Sequence, residues 1–214
     1  MDLERYDAWY DTPRGSWIGE VEFALLRSLL RPAPAESLID VGCGTGYFTR
    51  RFSIDAGLRV TGVDIARDAL GFAKSRSPDI AFVAADACRL PFAQDAFDLA
   101  AAVTSLCFVA DERGAVRELV RVTRDRFVVG LLNRHSLLYL RKGRRGGLGA
   151  YRGARWHTLP EIRSLFSALP VEGLQIRTAV LFPGGTRAAR RAESMARARL
   201  PWGSFTAVAG SKRR

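Results

Sequence analysis

The stretch Leu38-Ile-Asp-Val-Gly-Cys-Gly-Thr-Gly-Tyr47 decides the fold that the sequence predicts. A short, mostly apolar run leads into three glycines at alternate positions, Gly42, Gly44 and Gly46, and a mixed segment that can form a helix follows. Glycine lets the backbone turn sharply and approach a ligand with no side chain between them. A strand, a glycine turn and a helix in this order are typical of a nucleotide-cofactor loop at the edge of a parallel sheet.

The rest of the chain alternates between short apolar runs and longer mixed segments, a pattern that indicates a doubly wound α/β fold. The predicted strands are residues 37–41, 59–63, 80–84, 99–103, 126–132, 171–178 and 205–208. The predicted helices are residues 18–30, 46–55, 66–75, 112–123 and 186–200, with another from a capping box at 158–161 to about residue 168. We therefore expect a Rossmann-like sheet of about seven strands, mostly parallel, with an antiparallel last strand.

With 214 residues, 48% of them hydrophobic and 26% charged, the chain fits a single globular domain. Residues 1–35 are expected to form an N-terminal helical cap and residues 36–132 the cofactor-binding core. Residues 133–214 would supply the acceptor-side loop, helices and last strands. Within that region, residues 141–155 are rich in Gly and Arg and have little apolar pattern, so they are interpreted as a mobile loop or lid.

Charge is distributed unevenly along the chain. Residues 1–133 hold 16 basic and 19 acidic residues, a net charge of −3, whereas residues 134–214 hold 17 and 3, a net charge of +14. A step of this size indicates either an anionic partner for the C-terminal third or a solvated, arginine-rich surface. The sequence leaves both interpretations open.

Compartment and redox chemistry follow from what the sequence lacks. No apolar run approaches the ~20 residues that cross a bilayer, and the N-terminus lacks the basic-then-apolar order of a signal peptide, so we expect a cytoplasmic protein without a transmembrane segment. Cys43, Cys88 and Cys107 occur singly, which argues against a disulfide framework or a zinc site. We expect buried, unreactive thiols and no bound metal.

Three aspartates select the ligand of the glycine loop. Asp64 follows the second predicted strand, 18 residues beyond Gly46, where a carboxylate can accept hydrogen bonds from both ribose hydroxyls. Asp86 follows the third strand, placed to meet the adenine edge. Asp40 lies beside the loop, where it would repel a diphosphate but suits a ligand that carries ammonium and sulfonium groups. The loop also lacks the dinucleotide and P-loop fingerprints.

These motifs resemble the class I S-adenosylmethionine-dependent methyltransferases. Residues 38–47 look like motif I, 60–64 like motif II and 84–92 like motif III. Residues 97–105 resemble motif IV of the subgroup that includes the ubiquinone and menaquinone biosynthesis methyltransferases. The likeness covers about residues 36–132. It implies S-adenosylmethionine as the cofactor, S-adenosylhomocysteine as its product, and methyl transfer to a small-molecule acceptor, for which an anion is one option.

The resemblance also implies individual roles. Asp40 and the backbone of Gly42 would hold the methionine end, Asp64 the ribose, and Asp86 with Ala87 the adenine amino group. Ile65 would pack on the adenine, and Thr104 would lie under the methionine moiety. The full predicted cofactor set is Asp40, Gly42, Cys43, Gly44, Gly46, Asp64, Ile65, Asp86, Ala87 and Thr104.

The acceptor side is less determined. His157 and His135 are the only histidines, and either can act as a base near neutral pH or be a hydrogen-bonded histidine without a catalytic role. Aromatic and basic residues on both sides of the core can close over the site or simply pack the N-terminal helix. The predicted acceptor and lid residues are Tyr6, Tyr10, Trp17, Tyr151 and Arg155.

Three other functions are considered. The basic C-terminal third favours an RNA methyltransferase, although motif IV lacks the Asn/Asp-Pro-Pro-Tyr/Phe signature expected of amino-directed nucleic-acid enzymes. A binding protein that has lost its acceptor site is the second. The third is a peripheral membrane contact through residues 186–214. The sequence predicts no oligomeric state.

Overall fold

The computed structural model describes residues 2–196 and 200–213. Its seven strands form one sheet in the order β3-β2-β1-β4-β5-β7-β6. Strands β1 to β5 pair in parallel, and β7 runs antiparallel to both of its neighbours, as predicted. The strands are β1 Ser37–Val41, β2 Arg59–Asp64, β3 Ala81–Ala84, β4 Phe97–Val103, β5 Thr123–Leu132, β6 Val171–Ala179 and β7 Phe205–Lys212.

The helices connect these strands and also precede them. They are α1 Leu3–Ala8, α2 Pro13–Leu30, α3 Tyr47–Ile54, α4 Arg67–Arg76, α5 Glu112–Val122, α6 Leu159–Phe166 and α7 Arg187–Ala196. The side chain of Thr12 caps α2, whose first residue is a proline, and the predicted capping box of Thr158 and Glu161 opens α6. Of the predicted helix 186–200, residues 197–199 lie outside the described residues.

Some element boundaries differ from the prediction. Helix α2 begins at Pro13 rather than residue 18, because the Thr12 cap and Pro13 start it earlier than the apolar periodicity does. Strand β5 begins at Thr123 instead of 126, directly after α5 ends at Val122. Helix α1 was not predicted. The segment 141–155 is not featureless, since π-helical turn Tyr139–Gly143 runs into it and 3-10 turn Gly149–Tyr151 lies within it.

Two hydrophobic cores lie on opposite faces of the sheet. Residues of α2 and α3, among them Leu26 and Phe52, pack on one face. Residues of α5 and α6, among them Leu119 and Ile162, pack on the other. Asp7 of α1 pairs with Arg50 of α3 at 2.8 Å and is only 6% exposed, so the N-terminal helix is fixed beside the start of α3. Because β1 to β5 are parallel, their carboxyl ends share one edge of the sheet. The Asp7–Arg50 pair places the N-terminal segment beside that edge.

The cysteines depart in part from the prediction. Cys107 is buried, but Cys43 and Cys88 are partly exposed, because both lie in loops at the sheet edge. Burial raises the pKa of all three thiols, that of Cys107 to about 12. The thiols are therefore protonated at neutral pH, which keeps them weak nucleophiles.

The described residues contain neither a metal-binding cluster nor a membrane-spanning helix. Within residues 2–196 and 200–213, no group of three or more His, Cys, Asp or Glu side chains is arranged to hold a metal ion. No helix in that part of the chain is both long and apolar enough to cross a membrane.

Candidate active site

The glycine loop lies between the carboxyl end of β1 and the start of α3. Gly42, Gly44 and Gly46 have φ angles of +74°, +54° and +80°, a left-handed region that side chains disfavour. The backbone N–H groups of Gly42 and Cys43 donate to the Val63 carbonyl at 2.6 and 2.9 Å. These bonds fix the loop against the end of β2.

Two of the glycines face different surroundings. A Cβ atom on Gly42 would lie 2.2 Å from the Cβ of Ser105, so Gly42 allows the segment after β4 to pack closely on the loop. A Cβ atom on Gly44 would meet no protein atom within 4 Å. The loop is therefore open at Gly44, where a ligand can approach the backbone.

Asp64 connects the end of β2 to this loop. One of its carboxylate oxygens accepts a hydrogen bond from the N–H of Gly44 at 2.8 Å, and the other accepts from the N–H of Ala66 at 2.9 Å. Each oxygen has a second lone pair, so the carboxylate can also accept from two hydroxyl groups. The next residue, Ile65, is 73% exposed and offers an apolar surface beside the carboxylate. This arrangement fits a ribose with an attached base.

Asp40 lies on β1 and is 2% exposed. Its carboxylate accepts a hydrogen bond from the Thr49 hydroxyl at 2.6 Å. The pKa of Asp40 is raised to about 7, chiefly by burial, while the Thr49 hydrogen bond lowers it and the charge of Asp64 raises it. A cationic ligand beside Asp40 would favour its ionised form. The Asp40 carboxylate therefore suits a ligand that carries a positively charged amino group.

The ends of β3 and β4 complete this edge. The carboxylate of Asp86 accepts a hydrogen bond from the N–H of Cys88 at 2.9 Å, which shapes the turn that carries Ala87. Thr104 has a φ angle of +59°, and strained non-glycine residues of this kind cluster at functional sites. The Ser105 hydroxyl donates to the Val41 carbonyl at 2.6 Å. The structure thus brings the predicted cofactor residues to one edge of the sheet.

Known proteins are similar to this chain in sequence and in fold. Residues 39–127, which are 89 of the 214, match the family model described as a methyltransferase domain. An uncharacterized protein of Mycobacterium tuberculosis is 37% identical over 171 residues, which are 78% of this chain and 57% of that protein. A demethylmenaquinone methyltransferase of Renibacterium salmoninarum is 38% identical over 91 residues, 42% of this chain and 38% of the relative.

Residues 39–127 carry the sequence of a methyltransferase domain. The predicted resemblance to the class I S-adenosylmethionine-dependent methyltransferases is confirmed over these residues. A solved S-adenosylmethionine-dependent methyltransferase of Thermotoga maritima, described as a possible histamine N-methyltransferase, has the same fold. It superposes with a TM-score of 0.75 at 22% identity and covers 99% of this chain and 96% of its own. The chain spans little more than half of the mycobacterial relative and less than half of the menaquinone one.

His157 lies in a segment that runs beside the end of β5. Its side chain is 3% exposed, and its Nε2 lies 2.6 Å from an oxygen of Glu112, at the start of α5. The two atoms are close enough for an ion pair but are not aligned as a hydrogen bond. Arg155 approaches the other Glu112 oxygen at 3.1 Å. Its own N–H donates to the Cys107 carbonyl at 2.7 Å.

The cluster of Glu112, Arg155 and His157 lines a cavity of about 450 Å³ between α5 and α6. Glu112 was not predicted, because an acid at the start of a helix has an ordinary explanation in the helix dipole. His135, by contrast, is exposed in the turn after β5, where its N–H donates to the side chain of Asn133 at 2.9 Å. The structure does not bring the two histidines together.

Aromatic residues link the N-terminal cap to the cofactor loop. Tyr10 stacks on Tyr47, the first residue of α3, with ring centroids 3.6 Å apart, and Tyr6 meets Tyr10 edge to face at 6.2 Å. Tyr151 packs against Trp156 on the lid side. Trp17 lies instead under the guanidinium group of Arg190 at 5.7 Å, where α7 packs on the start of α2.

Glu22 is a further residue of this region that the sequence analysis missed. It lies on α2 between the buried residues Ile18 and Leu26 and is partly buried. The signal that identifies it is an acid on the apolar stripe of a helix, where a charge is costly unless it has a partner.

Proposed function

We propose that this chain transfers the methyl group of S-adenosylmethionine to a small-molecule acceptor. The observation that carries the proposal is the link between Asp64 and Gly44, which sets a carboxylate beside an open stretch of glycine backbone. In this proposal Asp64 binds the ribose, Asp40 the amino-acid end and Asp86 the adenine edge. Ile65 packs on the adenine ring. Cys43, Gly46, Ala87 and Thr104 shape the surrounding backbone.

The cofactor supplies an activated methyl group on a positively charged sulfur. The protein then has to align the acceptor and exclude water. Tyr6 and Tyr10 of the N-terminal cap support such a role, since Tyr6 meets Tyr10 and Tyr10 stacks on Tyr47 beside the glycine loop. Tyr151, which packs on Trp156, supports it from the lid. His135 and His157 stay predictions as catalytic residues. The burial of His157 against Glu112 supports a positioning role for it within the cluster with Arg155.

RNA is a second candidate acceptor, and one observation favours it. Five basic side chains of the lid region are exposed and form no ion pair with any residue in the described ranges. They are Arg141, Lys142, Arg144, Arg145 and Arg152. Such a cluster can hold phosphates by charge alone.

The predicted contact with a membrane surface is supported by two exposed apolar side chains. They are Met195 on the basic helix α7 and Trp202 beyond it.

Methyl incorporation distinguishes the two acceptor classes. The protein is incubated with methyl-labelled S-adenosylmethionine and, separately, with a small-metabolite extract and with total RNA. We expect label in the small-molecule fraction, and none with the Asp64→Ala variant as the control. Label in RNA alone, with RNA affinity that falls steeply as salt rises, would overturn the small-molecule assignment in favour of the second candidate.

A further inference from the structure

Helix α2 buries one face, and Glu22 lies on that face. Ile18, Glu22 and Leu26 are spaced by four residues and so share a stripe of the helix. Ile18 is 7% exposed and Leu26 is fully buried. Glu20, two residues earlier, points the other way, with 62% of its side chain exposed in an ion pair with Arg51. Glu22 is therefore the acid that α2 turns toward the protein interior.

Glu22 has no partner among the described residues. Within residues 2–196 and 200–213, no side chain donates a hydrogen bond to it or forms an ion pair with it. Burial raises the pKa of Glu22 to about 8. Keeping a carboxyl group in such surroundings costs stability, and a structural requirement would be met as well by an apolar residue.

Tyrosines lie against α2 one turn before this carboxyl group, since a Cβ atom on Gly19 would lie 2.3 Å from the Tyr47 hydroxyl oxygen and 3.1 Å from a ring carbon of Tyr10. Burial raises the pKa of Tyr6, Tyr10 and Tyr151, and the negative charge of Glu22 raises each of them further. It acts in the same direction on Tyr47, beside the glycine loop. Glu22 is thus within electrostatic range of the cap, the loop and the lid. The charged group in reach of Tyr151 from the other side is Arg14, whose Nε donates to the Pro183 carbonyl.

The height of Glu22 along α2 corresponds to the carboxyl ends of the central strands. The carbonyl of Leu30, at the end of α2, accepts a hydrogen bond from Arg126 near the start of β5. A helix rises 1.5 Å per residue, so Glu22 lies about 12 Å above Leu30, which corresponds to roughly four residues of a strand. That level is near Gly130, which pairs with Val103, the last residue of β4.

We infer that Glu22 binds an ammonium group of a small-molecule acceptor between the tyrosines. That protonated nitrogen has no lone pair and anchors the molecule, while another atom of the acceptor receives the methyl group. The inference rests on the proposed function and narrows its substrate class. A carboxylate among aromatic rings is the arrangement that recognises an organic cation, since both the charge and the ring faces attract it. The same carboxylate repels an anion, so the anionic acceptor considered from the sequence is disfavoured.

The test compares ligands that share an apolar body and carry a cationic, a neutral or an anionic head group. Binding of primary amines, each with its matching alcohol and carboxylate, is measured by calorimetry with S-adenosylhomocysteine present, starting with 2-phenylethylamine, 2-phenylethanol and phenylacetate. We expect at least one amine to bind at least about tenfold more tightly than its alcohol, more strongly at pH 8.5 than at pH 6.5, because Glu22 must be ionised. The surrounding tyrosines stay neutral over this range, because burial raises the pKa of each above its ordinary value.

Glu22→Gln should remove the preference for the amine, and Glu20→Gln, the exposed control, should keep it. Wild-type protein that binds no amine of the panel, or a preference that survives Glu22→Gln, would overturn the inference. Affinity for S-adenosylhomocysteine should be equal in all three proteins. If the wild type does not bind it, the proposed function fails rather than the role of Glu22.

The thermal stability of the Glu22→Gln variant distinguishes a binding role of Glu22 from a structural one. A carboxyl whose pKa rises from 4.5 to about 8 on folding binds its proton more tightly in the folded state, so stability falls as the pH rises through that window. Glu22→Gln removes this loss, and the Tm of the free protein at pH 8.5 should rise by about 5 °C. A fall in Tm would assign Glu22 to the structure and overturn the inference.

Discussion

Asp64→Ala is expected to weaken the binding of S-adenosylmethionine by about 100-fold or more. The carboxylate would lose its hydrogen bonds to two ribose hydroxyls, and hydrogen bonds to charged groups contribute about 1.5–3 kcal/mol each. Because Asp64 also accepts from the N–H groups of Gly44 and Ala66, the free energy of unfolding should fall by about 1–3 kcal/mol. Calorimetry measures the first effect and denaturant unfolding without ligand measures the second.

The matched control is Asp79→Ala, which removes an exposed carboxylate before β3. It should change neither quantity beyond about 0.5 kcal/mol. An Asp64→Ala protein that binds S-adenosylmethionine with unchanged affinity would remove Asp64 from the site. Such a result would also remove the main support for the position of the ribose.

The glycine loop provides the second large effect. Gly42→Ala should lower the free energy of unfolding by about 2–4 kcal/mol, since the new methyl group would overlap the Cβ of Ser105 at a positive φ angle. Relief of that overlap requires the loop to move away from β4. We therefore expect cofactor binding to be lost together with stability, as measured by thermal unfolding and calorimetry.

The Gly44→Ala variant separates the loss of cofactor binding from the loss of stability. Its new methyl group meets no protein atom within 4 Å, so only the left-handed backbone conformation costs stability, about 1 kcal/mol. The protein should fold, yet lose cofactor affinity, because the methyl group occupies the face that the ligand approaches. Full affinity in a folded Gly44→Ala variant would show that the ligand does not contact this backbone.

The fold and the cofactor edge could be predicted because their signals are local. Each strand is a short apolar run, and parallel strands place their carboxyl ends together, so Asp40, Asp64 and Asp86 had to meet at one edge. The glycines mark the loop because a residue without a side chain adopts their positive φ angles without steric cost. The late starts predicted for α2 and β5 arose where a cap or a short connection, rather than periodicity, sets the boundary.

Long-range pairs could not be predicted in the same way. His157 and Glu112 are 45 residues apart, and each has an ordinary local explanation, so nothing in the sequence indicates that they bury each other. Tyr10 and Tyr47 are likewise brought together only when α1 and α3 pack. Glu22 could be predicted in part. Its place on the apolar stripe was visible in the sequence, but its lack of a partner became apparent only in the folded chain.

Binding of S-adenosylmethionine and of NAD to the wild-type protein, measured side by side by calorimetry, tests the central claim most directly. The pairing of a carboxylate at Asp40 with a glycine loop that lacks a diphosphate fingerprint predicts that S-adenosylmethionine binds and NAD does not. Tight binding of NAD with none of S-adenosylmethionine would contradict it.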